Sequence, residues 1–118
     1  MFTLNNNELR VNVYFNGDYY IVVTLSDIGI FFMDFKKGYN IFNKNINNIY
    51  LGFHTKKALI KSEKIDTKLT EVIELQDDKK YYSDWVKKVI KECGYKNKTA
   101  LFENMDVCAI TAIDDKIS

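Results

Sequence analysis

His54 is the only histidine of the chain, and Cys93 and Cys108 are its only thiols. A histidine serves as general base or metal ligand when a carboxylate or thiol stands beside it. His54 lies instead next to Phe53 in a helical pattern, with no acidic residue or cysteine close in sequence, so a solvent-facing or core-edge role is expected. Cys93 immediately precedes Gly94 at the end of a predicted helix. The helix dipole there raises a thiol pKa, which argues against a nucleophile. Both cysteines sit in apolar patterns and are expected to be buried free thiols in a reducing compartment. The carboxylate pairs Asp77-Asp78 and Asp114-Asp115 fall in turn-like contexts and read as solvated. Gly17, Gly29, Gly38, Gly52 and Gly94 are isolated and form no phosphate loop or dinucleotide fingerprint. Neither GxSxG nor HExxH occurs. The expectation is a protein without catalytic residues, metal, cofactor or small-molecule substrate.

Two charged stretches remain. Tyr95, Lys96, Asn97, Lys98 and Phe102 form a basic, aromatic-interleaved patch of the kind that can follow a phosphate backbone. Against it stand Glu63, Asp66, Glu71, Glu74, Asp77 and Asp78, with only Lys64 and Lys68 to offset them between residues 63 and 78. The formal net charge of the chain is +1, so the overall balance favours neither nucleic acid nor an anionic membrane. A solvated lysine face is the simpler reading of the basic patch.

The elements that position these residues follow from periodicity. A chain of 118 residues, 47% hydrophobic and 14% aromatic, is long enough for one domain over 1–118 that buries about two-thirds of its unfolded surface. Leu9, Val11, Val13 and Phe15 alternate with Arg10, Asn12 and Tyr14, which reads as a half-buried strand. Asn16-Gly17 predicts a type I′ hairpin turn. Residues 19–25 return as a strand apolar on both faces, and therefore central. Ser26-Asp27 reads as a turn, 29–35 as a third strand, Lys36-Lys37-Gly38 as another turn, and 39–42 as a short edge strand. Over 45–62 the period becomes helical, with Asn45 or Asn47 as cap. Ile46, Ile49, Tyr50, Phe53 and Ile60 are expected to form its core face, widened by Leu51, Ala58 and Leu59. Leu69, Val72, Ile73 and Leu75 suit either a short strand or a helix tail.

The sharpest signal lies between Trp85 and Ile113. Trp85, Val86, Val89, Ile90 and Cys93 share one helical face, with Lys87, Lys88, Lys91 and Glu92 opposite. Ser83 or Asp84 is the expected cap and Gly94 the stop. A short basic helix follows, then an apolar strand over 107–113, a turn at Asp114-Asp115-Lys116, and the start of a final strand at Ile117-Ser118. The expected fold is α+β: a mainly antiparallel sheet of about four to six strands covered on one face by two main helices, with a short third. No apolar run is long enough for a membrane helix, and the N-terminus lacks the pattern of a signal peptide, so a cytoplasmic protein is expected.

The order Trp85, helix, Gly94-Tyr95-Lys96-Asn97-Lys98, Ala100-Leu101-Phe102, Cys108, Ile110 resembles the C-terminal half of the immunity proteins of contact-dependent growth inhibition. The strand GIFFMDF, followed by a helix carrying Leu51-Gly52 and ending at Ser62, is similar to that family's middle section, so the likeness spans roughly residues 19–118. The resemblance implies a non-enzymatic bacterial protein that binds and neutralises the C-terminal toxin domain of a cognate effector, often a nuclease. In some complexes of this kind a toxin hairpin extends the immunity protein's sheet. A nuclease presents a basic cleft, and an acidic surface would be steered toward it. Glu71, Glu74, Asp77 and Asp78 are the expected contacts, with Tyr81 and Tyr82 as aromatic anchors. Any free edge of the 1–42 sheet is a second candidate surface. The competing function is a non-catalytic interaction module, an adaptor or chaperone-like subunit.

Overall fold

The computed structural model describes residues 8–65, 78–113 and 116–117. Strands β1 (Glu8–Phe15), β2 (Tyr19–Asp27), β3 (Phe31–Met33), β4 (Tyr39–Asn43), β5 (Asp106–Ile113) and β6 (Lys116–Ile117) build one sheet. Its order is β3-β2-β1-β5-β6, with β4 also on β2, and every strand pair is antiparallel. The helices are α1 (Asn48–Ile60), α2 (Asp78–Cys93) and the short α3 (Lys98–Phe102). This is the expected α+β class.

The helices do not share a face of the sheet. Ile21 and Val23 of β2 pack with Trp85, Val86 and Val89 of α2 and Leu101 of α3. On the other side, Val22 of β2, Val11 of β1 and Ala112 of β5 pack with Ala58 and Leu59 of α1. The alternation of β2 requires this arrangement. Its successive apolar residues point to opposite faces, so each face needs its own cover. Covering one face with both helices would have left Val22 and Val11 in water.

The first hairpin differs in detail from the expected type I′ turn. Asn16 N donates to Tyr19 O at 3.3 Å, so Gly17 and Asp18 are the central pair. Gly17 has φ of 97°, whereas the only described non-glycine residue with positive φ is Asn104. Positive φ at the first central position alone is the type II′ pattern. Asn16 is left as a buried residue.

Ser26 and Asp27 are not a turn but the end of β2, and Ser26 is fully buried. The expected third strand is also interrupted. Met33 opposes Leu25 and Tyr39 opposes Val23, so this edge advances six residues while β2 advances two. The surplus forms the 3₁₀ turn Phe35–Lys37, closed by Gly38 at φ 79°. Asp34 fixes the break: its backbone N donates to Thr24 O at 2.9 Å, and its buried carboxylate accepts from Ser26 Oγ at 2.7 Å.

Asn47 caps α1, its side chain accepting from Ile49 N at 2.8 Å. The buried stripe of α1 is Thr55, Ala58 and Leu59, with Leu51 partly buried beside it. Small side chains let the helix lie close to the sheet, where Thr24 Oγ1 donates to Ala58 O at 2.7 Å. Ser62 continues the contact by donating to Leu25 O and accepting from Arg10 N. The expected core face of α1 is thus corrected: Ile49, Tyr50, Phe53 and Ile60 are exposed.

The second helix starts at Asp78, ahead of the expected cap at Ser83 or Asp84, and so includes Tyr81 and Tyr82. Its buried stripe is the expected one. Its end is a Schellman motif: Tyr95 N donates to Ile90 O at 3.1 Å and Gly94 N to Lys91 O at 3.3 Å, with Gly94 at φ 78°. Asn97 then caps α3 by accepting from Ala100 N.

Candidate protein-binding surfaces

Of the acidic residues expected to bind a partner, Glu71, Glu74 and Asp77 lie outside the described residues, as does the side chain of Asp78, the first residue of α2. The same holds for Leu69, Val72, Ile73 and Leu75 and for Asp114-Asp115. Glu63 is committed locally. It pairs with Lys37 Nζ at 2.8 Å, while the backbone of 63–65 joins β2 through a parallel bridge between Asp27 and Lys64. The two expected aromatic anchors separate. Tyr81 is 54% exposed. Tyr82 is half-buried, its ring 5.8 Å from that of Trp85, and burial raises its phenol pKa above the ordinary value.

His54 packs among aromatic rings of α1 and β4. The His54 ring sits 4.4 Å from Tyr50, 5.1 Å from Phe42 and 5.4 Å from Phe53. Its Nε2 is shielded and has no hydrogen-bond partner, and no cluster of three metal-ligating side chains occurs among the described residues. Burial, then the neighbouring Glu92 charge, pushes the Cys93 thiol up, which disfavours the thiolate. Cys108 departs from the expected buried thiol and is exposed.

The basic patch is dispersed in the same way. Tyr95 OH accepts from Asn16 Nδ2 and donates to Asp18 Oδ2, both at 2.9 Å. Phe102 packs against the core, and Lys98 Nζ lies 5.5 Å and 5.8 Å from the rings of Tyr82 and Phe102. Tyr95 and Phe102 are thus partly buried and packed against the core.

Two surfaces escaped the sequence reading. The first is the outer face of α1, where Ile49, Tyr50 and Phe53 with Asn47 line a shallow apolar hollow. The apolar count of residues 45–62 exceeds what one stripe needs, and that excess was the available signal. The second is the β5 margin of the sheet, which lies outside the 1–42 strands where a free edge was expected. The β6 strand pairs only Ala112 and Ile113 of β5. Residues 106–111 of β5, including the exposed Val107 and Cys108, keep their outer side unpaired among the described residues. Unpaired edges accept further strands.

A helix-covered antiparallel sheet of this size serves many purposes, and comparison with known proteins narrows them. A family model described as CDI immunity protein (CdiI) matches residues 9–118. The chain belongs to the CDI immunity protein family. No curated protein matches it. Among solved structures, this CDI immunity protein is similar to a protein of unknown function, NMB0488 from Neisseria meningitidis. The TM-score is 0.84 at 25% identity, over 97% of this chain and 71% of the other. It is also similar to a chain of the CdiA-CT/CdiI toxin and immunity complex from Yersinia pseudotuberculosis, with a TM-score of 0.74 at 25% identity over 93% of this chain and 71% of the other. The family assignment agrees with the resemblance carried by the Trp85–Ile113 stretch. No described helix is long and apolar enough to cross a membrane.

Proposed function

We propose that this chain binds and neutralises the C-terminal toxin domain of a cognate contact-dependent growth inhibition effector, and that the toxin is a nuclease. The observation that carries the reading is the family match over residues 9–118, joined by the likeness to a chain from a toxin and immunity complex. Neutralisation by binding needs a stable scaffold and exposed recognition surfaces. The doubly covered sheet supplies the first, and the β5 edge, unpaired over 106–111 among the described residues, and the outer α1 face are candidates for the second. The acidic residues Glu71, Glu74, Asp77 and Asp78 steer the protein toward the basic cleft a nuclease holds for phosphate, and the exposed Tyr81 serves as an aromatic anchor. A toxin strand added along β5 would supply backbone hydrogen bonds.

The test is co-purification of this protein with the toxin domain of the effector encoded beside it, together with rescue of cells expressing that domain. The expected result is a stable complex and restored growth. No complex and no rescue would overturn the reading. A complex with a toxin that cleaves neither RNA nor DNA would overturn only its nuclease part.

A further inference from the structure

We propose that the outer face of α1 is a docking surface for the toxin domain, and that it receives an apolar ridge flanked by carboxylates, away from any basic substrate cleft. This rests on the proposed function and specifies the chemistry of one contact. A helix on a sheet normally turns its polar side outward. Here Ile49 is 84%, Phe53 55% and Ile60 65% exposed. At about 100° per residue these three positions fall within about 40° of one another, roughly opposite the buried Thr55, Ala58 and Leu59. The most outward part of α1 is therefore apolar.

The surface is firm. Tyr50 packs edge-on to Phe42, with ring centroids 6.5 Å apart, and His54 is held between Phe42, Tyr50 and Phe53. Rings already held in place lose little freedom when a partner arrives, which is the property of an interface anchor.

Charge selects the occupant. Residues 44–62 contain Lys44, Lys56, Lys57 and Lys61 and no acidic residue. All four lysines are exposed, and Lys57 Nζ lies 5.4 Å from the Phe53 ring centroid. A second copy of the chain would set lysine against lysine around the apolar patch, and a nuclease's basic cleft would be repelled in the same way. A partner with carboxylates around its apolar ridge satisfies both parts of the surface.

The test titrates wild type, Ile49→Glu/Phe53→Glu and Lys56→Glu/Lys57→Glu with the purified toxin domain encoded beside this gene. Circular dichroism and thermal melting check that the variants fold. Both pairs are exposed, so native melting is expected. The apolar pair should weaken binding about tenfold or more, chiefly through faster dissociation. The lysine pair should slow association several-fold at low salt, and the difference should shrink as salt rises. Unchanged affinity in Ile49→Glu/Phe53→Glu, with the wild-type complex intact, overturns this docking surface and leaves the proposed function standing. Absence of any wild-type complex overturns both. A wild-type dimer that the apolar pair dissolves would assign the face to a second copy, and wild-type binding to phosphatidylglycerol vesicles that the pair abolishes would assign it to a membrane. Either outcome overturns the toxin assignment.

Discussion

Asn16 joins three pieces of chain through one side chain. Its Oδ1 accepts from Asp18 N and Tyr19 N at 3.0 and 2.9 Å, and its Nδ2 donates to Tyr95 OH and Leu101 O at 2.9 and 3.1 Å. Replacing it with Ala strands buried donors and acceptors, so Asn16→Ala should lower stability by about 2 kcal/mol in urea denaturation. The asparagine-glycine pair announced a hairpin, but nothing local reveals this role, because Tyr95 and Leu101 reach Asn16 only through the fold. Tyr39 has a similar dependence. Burial, then its hydrogen bond to Glu92, raises its phenol from the ordinary 10.0 to about 12. The fold therefore favours the protonated form. That contribution is complete below the unfolded value and is lost as pH rises from about 10 through about 12. Denaturation midpoints of wild type should fall across this window, and those of Tyr39→Phe should fall less steeply.

The two long helices show what an amphipathic pattern does and does not reveal. The α2 sequence has one apolar stripe, and that stripe is buried, with Trp85 at 4% exposure. Trp85→Ala should cost about 3–5 kcal/mol, read from the shift in denaturation midpoint, since the indole is ringed by Tyr14, Phe35, Tyr39 and Tyr82. In α1 nearly every turn offers apolar residues on two sides, so periodicity alone leaves the buried side open. Ile49, Phe53 and Ile60 are larger and more apolar than Thr55 and Ala58, yet the smaller residues face the sheet. What decides is the close approach allowed by Thr55 and Ala58 and the hydrogen bond from Thr24. By the same measurement Phe53→Ala should change stability by no more than about 0.5 kcal/mol. A larger loss would mean that Phe53 belongs to the core. The break between β3 and β4 was equally illegible, because it depends on Asp34 meeting Ser26 across the strand pair.

At the scale of the molecule, class and element order were readable because each strand and helix carries its own period. The distribution of helices over the two faces was implicit in β2, whose apolar run on both sides requires two covers. Function was legible mainly through the pattern around Trp85–Ile113, whose α2 stripe is core, whereas contact surfaces such as the β5 edge are set by what the scaffold leaves uncovered. Charge is divided along the chain. Residues 44–62 carry lysines without acids, and residues 66–78 carry Asp66, Glu71, Glu74, Asp77 and Asp78 against the single Lys68. With a net charge of only +1, long-range attraction by the whole molecule is weak, so the proposed steering toward a nuclease would depend on local fields within a Debye length of about 8–10 Å. Reversing Glu71, Glu74, Asp77 and Asp78 to lysine should then slow association with the toxin domain about tenfold at low salt, with little change in dissociation and a modest loss in thermal melting from the two lysines at the N-terminus of α2. Stopped-flow or surface-binding kinetics across ionic strength would measure it. Wild type and variant should converge as salt rises, because screening removes only the steering. An association rate that is the same for both at low salt would discard this acidic surface and leave the proposals for α1 and β5 standing.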